Sequence, residues 1–200
     1  MYKIRYLYIL LLTIPLCYVQ SVSADTQQVI KQCESCHGSG GNSRKSDIPS
    51  IASFSVEYMK DVMADFKSGK RQGKRVKASP ASAPTTMNDI AKKLSANELN
   101  AAMNYFSKQK FVAVRQPSNP VLAKRGAKVY DRRCMKCHGD NGNDPEDEAA
   151  ILKGQWLPYL KSQLKEFKAG KRPMPKKMKK QLVKLKPKDE EALMHFFAQP

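Results

Sequence analysis

Apolar residues follow a helical period in two corresponding parts of the chain. One set consists of Val56, Met59, Val62, Met63 and Phe66, and the other of Trp156, Leu160, Leu164 and Phe167. Spacing of this kind predicts one amphipathic helix in each part. No segment shows a convincing alternation of apolar and polar residues, the pattern typical of half-buried strands. The chain is therefore predicted to be all-α.

Three further segments carry helix signals. SANELNAAMNYF has Ser95 three residues ahead of Glu98, which is a capping-box pattern at a helix start. NPVLAKRGAKVYDRRC predicts a helix with Gly126 and Tyr130 on one face. KDEEALMHFF follows Pro187 and predicts a helix near the end of the sequence. These signals add helices before and after the two middle ones.

A Cys-x-x-Cys-His motif occurs twice, at 33–37 and at 134–138, and the copies are 101 residues apart. The same shift superimposes FKSGKR at 66–71 on FKAGKR at 167–172. Self-similarity at a fixed offset indicates an internal duplication. Each half is therefore expected to form its own small domain.

The offset falls to 91 residues in the later part of each half, where Met87 matches Met178 and Leu94 matches Leu185. The first copy therefore contains ten additional residues. They lie within RQGKRVKASPASAPTT, residues 71–86, whose glycine, proline, serine and lysine content predicts an exposed loop.

The N-terminal 24 residues differ from the rest of the sequence. Lys3 and Arg5 precede an apolar stretch over 6–19, and VSA supplies small residues for cleavage. This arrangement is typical of a secretory signal peptide. A transmembrane anchor is the alternative, but the apolar run is short and Pro15 interrupts it. We expect cleavage, a periplasmic location and no transmembrane segment in the mature chain.

The duplication and the leader together predict the domain organisation. Residues 1–24 form the signal peptide, 25–112 the first domain, 113–119 a linker and 120–200 the second domain. The linker prediction rests on the proline content of SKQKFVAVRQPSN.

Cleavage removes Cys17 and leaves four cysteines, all of them in the two motifs. Two disulfides would be compatible with an exported chain, but disulfide formation does not require the adjacent histidines. A thioredoxin-like site would need a βαβ context, which the sequence lacks. A zinc site made of four sulfurs would leave both histidines unexplained.

Haem attachment accounts for every residue of both motifs. In c-type cytochromes the two thiols of C-x-x-C-H bond covalently to haem, and the histidine is an axial ligand of the iron. The sequence thus predicts two covalently bound haems c, His37 and His138 as proximal ligands, and four thioether anchors: Cys33, Cys36, Cys134 and Cys137.

A methionine opposite the histidine would complete each iron site and raise its reduction potential. Among the nine methionines, Met87 and Met178 occupy matching places after the FKxGKR segment, so they are the predicted sixth ligands. A role as core filler is the alternative for both residues. Met174 is a rival in the second half, and Met63 is a weaker one in the first.

Charge is distributed unevenly along this basic chain. Its 36 Lys and Arg residues against 18 Asp and Glu give a formal net charge of +18. Residues 161–188 contain twelve bases and only Glu166 as an acid, whereas 140–148 contain five acids and no base. We expect this asymmetry to orient docking with an acidic redox partner. A solvated lysine face without a partner is the alternative, and export with haem attachment argues against nucleic acid.

The repeated CxxCHGxxGN, FKxGKR and downstream methionine resemble the diheme cytochromes of the cytochrome c4 type over nearly the whole mature chain. In the second half, DPEDEAA, ILKGQWLPYLKSQLKEF and KRPMPKKM resemble the cytochrome subunit of flavocytochrome c sulfide dehydrogenase. In this family methionine is the sixth iron ligand, and the matching positions are Met87 and Met178. The lysine-rich insertion departs from the family pattern.

The resemblance implies an electron-transfer subunit bound to a flavoprotein that contains FAD. Sulfide would be oxidised at the partner's flavin, and the electrons would leave through this chain to a soluble or membrane acceptor. The chain would then not perform sulfide chemistry by itself. A free diheme shuttle that serves a terminal oxidase or reductase is the main alternative. A catalytic haem protein would need an open sixth position, which paired methionines disfavour.

Overall fold

The computed structural model describes residues 24–142, 144–145 and 147–199, so the predicted leader lies outside them except for Ala24. Within these ranges the backbone is helical, and its only pairing of β type is an isolated bridge between Val76 and Thr85. The helices are α1 (Ala24–His37), α2 (Val56–Ser68), α3 (Met87–Lys93), α4 (Ala96–Ser107), α5 (Pro120–Arg133), α6 (Leu157–Lys168), α7 (Lys176–Leu182) and α8 (Pro187–Phe197).

The four helices of each half follow the same order, and in each half the first helix packs on the last. In the first half α1 packs on α4, and in the second half α5 packs on α8. Each half has its own apolar core, which Phe54, Met103 and Phe106 represent in the first and Tyr130 and Phe196 in the second. The prediction of two small all-α units in tandem is therefore confirmed.

The structure confirms the predicted middle and terminal helices, including a capping box in which Ser95 Oγ accepts from Glu98 N. Pattern reasoning missed α1, α3 and α7. Helices α3 and α7 each have only seven residues, too few to show a full amphipathic period. The start of α3 did carry a signal, since Thr86 and Asp89 form a second capping box.

Gly126 allows α5 and α8 to approach closely. A Cβ atom at this position would lie 2.1 Å from the carbonyl oxygen of Ala192 in α8. Tyr130, one turn further along α5, is fully buried beside Phe196 and Phe197. The predicted common face of Gly126 and Tyr130 is therefore the face that packs on α8.

The insertion is anchored at both of its ends. The Val76–Thr85 bridge closes it, and Lys45 Nζ donates to the carbonyl oxygens of Lys77 at 3.0 Å and Ala78 at 2.7 Å. Its middle residues are exposed, as predicted. The prediction is wrong for Arg71, which is only 8% exposed because its side chain points to the second half.

The connector between α4 and α5 makes hydrogen bonds to both halves. Val112 N donates to Asn42 Oδ1, and Val114 N donates to the carbonyl oxygen of Gly154, both at 2.8 Å. Near α5, Asn119 N donates to His195 Nδ1 at 3.0 Å. His195 thus helps to hold the connector against α8.

The halves also contact each other directly through the segment that precedes α6. Gln155 is fully buried and exchanges two hydrogen bonds with the backbone of Ser50, at 3.1 and 2.6 Å. Trp156 Nε1 donates to the carbonyl oxygen of Ser43 at 2.9 Å. No helix within the described ranges has the length and apolar character needed to cross a bilayer.

Candidate haem-binding sites

The first motif lies at the C-terminal end of α1, where His37 is buried. Its Nδ1 atom is 2.8 Å from the carbonyl oxygen of Pro49. A carbonyl can only accept a hydrogen bond, so Nδ1 carries the proton and donates. The other ring nitrogen is then left basic, in the tautomer that a metal-ligating histidine requires.

The second motif repeats this arrangement just beyond the end of α5. Nδ1 of His138 lies 3.2 Å from the carbonyl oxygen of Ala150, and in both halves the acceptor follows its histidine by twelve residues. His138 is less well covered than His37. The duplication has therefore preserved the orientation of both imidazoles.

Burial lowers the pKa of His37 and of His138, although the backbone carbonyl beside each ring opposes this change. Both imidazoles are consequently neutral at neutral pH. A neutral imidazole is the form that binds a metal. The protonation state and the fixed tautomer thus agree with the predicted role of axial ligand.

The four motif cysteines are free rather than joined in disulfides. Burial raises the pKa of Cys33 and of Cys134 to about 11, so these thiols are protonated at neutral pH. Zinc binds the thiolate form of cysteine, which burial disfavours here. No group of three or more potential metal-binding side chains occurs among the described residues. The donor set fits covalent haem attachment better than a zinc site.

A carboxylate holds the loop after each motif, but the two carboxylates come from different places. In the first half Glu34, inside the motif, accepts from Gly40 N at 2.7 Å. In the second half Asp147 accepts from Gly139 N. The acidic segment therefore has a structural role at the second site, which its charge alone did not reveal.

Met87 is the first residue of α3 and is half-buried. The backbone of Gly73 lies against it, since a Cβ atom on Gly73 would be 2.8 Å from Met87 N. The next residue, Asn88, donates to the carbonyl oxygens of Phe66 at 2.7 Å and Arg71 at 2.8 Å, and accepts from Gly73 N at 2.7 Å. The start of α3 at Met87 is thus tied to the preceding loop by hydrogen bonds.

Met178 is the third residue of α7 and is also half-buried, but its surroundings are looser. No residue of α7 is fully buried, and no side chain caps its start at Pro175. The counterpart of Asn88 in this half is Lys179, which is exposed. Met174, the rival methionine, occupies the position that corresponds to Gly73 and is half-buried as well.

Lysines cover the surface around Met178. Those on α7 and on the turn that follows it are all exposed: Lys176, Lys177, Lys179, Lys180, Lys184 and Lys186. The ion pairs of the described residues leave all of them without a carboxylate partner. We call this set the α7 lysine surface.

The comparisons with known proteins agree on one family. The family model described as "Cytochrome c" matches residues 23–110 and again residues 123–199. The crystal structure of reduced cytochrome c4 from Pseudomonas stutzeri superimposes with a TM-score of 0.69 at 28% identity, and the match covers 88% of this chain and 96% of that one.

Two sequence relatives are named for dehydrogenases of sulfur compounds. The thiosulfate dehydrogenase electron acceptor of Thiomonas intermedia is 27% identical over 70% of this chain, which spans 64% of that relative's length. The cytochrome subunit of sulfide dehydrogenase from Chlorobaculum tepidum is 36% identical, but over only 37% of this chain and 56% of the relative.

Proposed function

Because the chain belongs to the cytochrome c family and carries two covalently bound haems c, we propose that it accepts electrons from the flavin of a sulfide-oxidising flavoprotein and passes them to a soluble or membrane acceptor. It is a diheme electron-transfer protein related to cytochrome c4 and to the cytochrome subunits of sulfur-compound dehydrogenases. The observation that carries the proposal is the occurrence of two family matches in one chain, each with its own C-x-x-C-H motif.

The proposed residue roles follow the duplication. Cys33 and Cys36 anchor the first haem and Cys134 and Cys137 the second, while His37, Met87, His138 and Met178 are the axial ligands. The hydrogen bonds from the two imidazoles to Pro49 and Ala150 support the histidine roles. When bound, each haem supplies an iron that cycles between ferric and ferrous states. We retain 25–112, 113–119 and 120–200 as the first domain, linker and second domain.

The flavoprotein partner is supported by the sulfide dehydrogenase relative, which bears the name of a cytochrome subunit. In this proposal sulfide is oxidised at the flavin of that partner, and this chain carries the electrons away. Export through the 1–24 leader would place the complex in the periplasm, and this location is part of the proposal.

We also propose that an acidic redox protein docks on the α7 lysine surface. Exposed lysines without carboxylate partners attract an acidic surface and mainly accelerate its approach. Met178 lies in the same helix, so docking there would bring the partner to the second haem site.

Charge reversal tests this docking. Lys176→Glu with Lys180→Glu should slow electron transfer to an acidic acceptor at low ionic strength by about tenfold or more, and high salt should remove the difference. Lys92→Glu with Lys93→Glu on α3 is the matched control in the first half. Equal slowing by both pairs would mean that only net charge matters and would contradict docking at α7.

Native purification tests the flavoprotein partner. Haem and flavin should co-elute, with two haems for each copy of this chain and the flavin in a second polypeptide. Persistent isolation as a flavin-free chain with two haems would reject the flavoprotein and leave electron transfer intact. A haem ratio other than two would contradict the residue roles.

The second candidate function is a free shuttle like cytochrome c4 that delivers electrons to a terminal oxidase or reductase. It is favoured by the near-complete match to cytochrome c4, which covers 96% of that chain. Reduction by a quinol-oxidising membrane complex, together with absence of flavin, would favour the shuttle over the flavoprotein subunit.

A further inference from the structure

The insertion of the first half forms an ordered clip, which we define as residues 74–85. Val76 and Thr85 exchange two backbone hydrogen bonds, at 2.9 and 2.8 Å, so the two arms of the clip are paired. Lys74 Nζ, at the start of the first arm, lies 2.7 Å from Asp47 Oδ2. In the second half the matching segment is ten residues shorter and leads directly into α7. The clip is therefore a feature of one haem unit only.

Hydrogen bonds also fix the tip of the clip. Ser82 N donates to the carbonyl oxygen of Ser79 at 3.1 Å, which closes a β-turn with Pro80 at its second position. Ser79 N in turn donates to Ser82 Oγ at 3.0 Å. A tip held in this way loses little conformational entropy when a partner binds to it. It carries no charge, and its exposed residues besides Ser79 are Pro80, Ala81, Ala83 and Pro84.

The arms of the clip carry positive charge. They contain three bases, Lys74, Arg75 and Lys77, and no acid. Of these bases only Lys74 takes part in the ion pairs of the described residues. Hydrogen bonds from Thr86 lower the pKa of Asp89, with a smaller contribution from the charge of Arg75, so this carboxylate is already bound to Thr86. Arg75 and Lys77 are both exposed, and their charge is directed to the solvent.

The clip lies beside the proposed iron ligand of the first half. It begins directly after Gly73, whose backbone packs on Met87, and it ends at Thr85, two residues before α3. A partner that contacts the clip would therefore be held next to the first haem site. In the second half the α7 lysine surface surrounds Met178. Each half thus presents bases beside its methionine, on a clip in one half and on a helix in the other.

We propose that the clip is a docking surface for an acidic electron donor. The protein that fits it has an apolar patch bordered by Asp and Glu residues, because the clip combines an uncharged tip with basic arms. Each transfer oxidises the donor by one electron and reduces the iron of the first haem from ferric to ferrous. Since the acceptor uses the α7 lysine surface, donor and acceptor can bind at the same time. The inference rests on the proposed electron transfer through both haems and does not require that the donor contain flavin.

Reduction of the holoprotein by reduced flavodoxin, an acidic flavoprotein used as the probe, tests this surface. The two-haem chain carries Lys176→Glu and Lys180→Glu in this experiment, so that the probe cannot use the α7 lysine surface. Addition of Arg75→Glu with Lys77→Glu should then lower the second-order rate constant by about fivefold or more at low ionic strength, and high salt should remove the difference.

Lys108→Glu with Lys110→Glu is the matched control, because it makes the same change of charge at exposed positions just beyond α4. This pair should slow reduction by less than about twofold. Equal slowing by the two pairs, or no slowing by the clip pair, would overturn the proposal. Absence of a flavoprotein from the native preparation would reject that partner and leave this result unaffected.

Carbodiimide cross-linking of the two-haem protein to flavodoxin is a second measurement, and it does not depend on rates. Lys77 should form a bond to a flavodoxin carboxylate, and Ala81→Glu at the tip should reduce the yield of this product, whereas Ala81→Ser should not. Products that involve only lysines outside the clip would contradict the docking surface.

Anionic vesicles distinguish a membrane from a protein as the partner. With vesicles of phosphatidylglycerol and phosphatidylcholine, the clip pair and the control pair should weaken binding of the holoprotein equally, because both change the net charge by the same amount. A larger loss in the clip pair would assign the clip to a membrane surface and overturn the assignment to a protein.

Discussion

The two halves share one helix order but differ in where they are held most firmly. In the first half, Asn88 fixes the loop beside Met87 through three hydrogen bonds, while in the second half Lys179 occupies the same position and is exposed. The second half has the tighter pairing of its first and last helices, since Gly126 lets α5 approach α8. The duplication has preserved the haem motifs, while the stabilising contacts have moved to different parts of each copy.

The largest expected effect is the loss of one haem from one half. Cys33→Ser with Cys36→Ser should reduce the haem-to-chain ratio from two to one, and Cys134→Ser with Cys137→Ser should do the same, because each proposed thioether pair belongs to its own half. Haem absorbance relative to protein, measured after denaturation, checks the ratio. Loss of both haems from either variant would show that the halves do not load independently.

Gly126→Ala should give the next largest effect. Its Cβ atom would overlap the Ala192 carbonyl, so α5 and α8 must separate, at a cost of about 2–3 kcal/mol in the free energy of unfolding. The counterpart in the first half is Asp25, where Asp25→Ala should cost less than about 1 kcal/mol. Denaturant unfolding measures the free energy of unfolding that each variant loses. Similar losses in both variants would contradict the difference between the two helix pairs.

Asn88→Ala tests the contact that is present in the first half and absent at Lys179 in the second. It removes the partner of Gly73 N, the Asn88 donor to the Arg71 carbonyl oxygen and one of two donors to the Phe66 carbonyl oxygen, which should cost about 2 kcal/mol and loosen the start of α3 at Met87. Lys179→Ala is the matched control and should stay within about 0.5 kcal/mol of the wild type. Thermal unfolding followed by haem absorbance distinguishes them, and a neutral Asn88→Ala would refute the anchoring role.

The sequence predicted the helices that have a clear apolar period, and its repeat predicted the two cytochrome c units that the family model matches. It did not predict α3 and α7, because a mostly polar segment of seven residues is too short to show an apolar period. The structural use of Asp147 was also missed. Its acceptance from Gly139 N depends on a loop geometry that charge counting does not contain.

Interdomain contacts were the least predictable feature. The repeated FKxGKR segments were visible, but an arginine in a polar loop is expected to be exposed, and Arg71 is buried only through residues about ninety positions away. Likewise, the GQWLPYL stretch suggested a partner protein, whereas Gln155 and Trp156 bond to the first half of the same chain. Such contacts become apparent only when both halves are assembled.

The most direct test of the difference between the halves is the order in which the proposed methionine–iron bonds break. As denaturant rises, the charge-transfer absorption of methionine-ligated ferric haem should fall in two equal steps, the first from Met178. Met178→Ala should then lack the first step, Met87→Ala the second, and Met174→Ala should retain both. A single step, or loss of the Met87 bond first, would contradict the account.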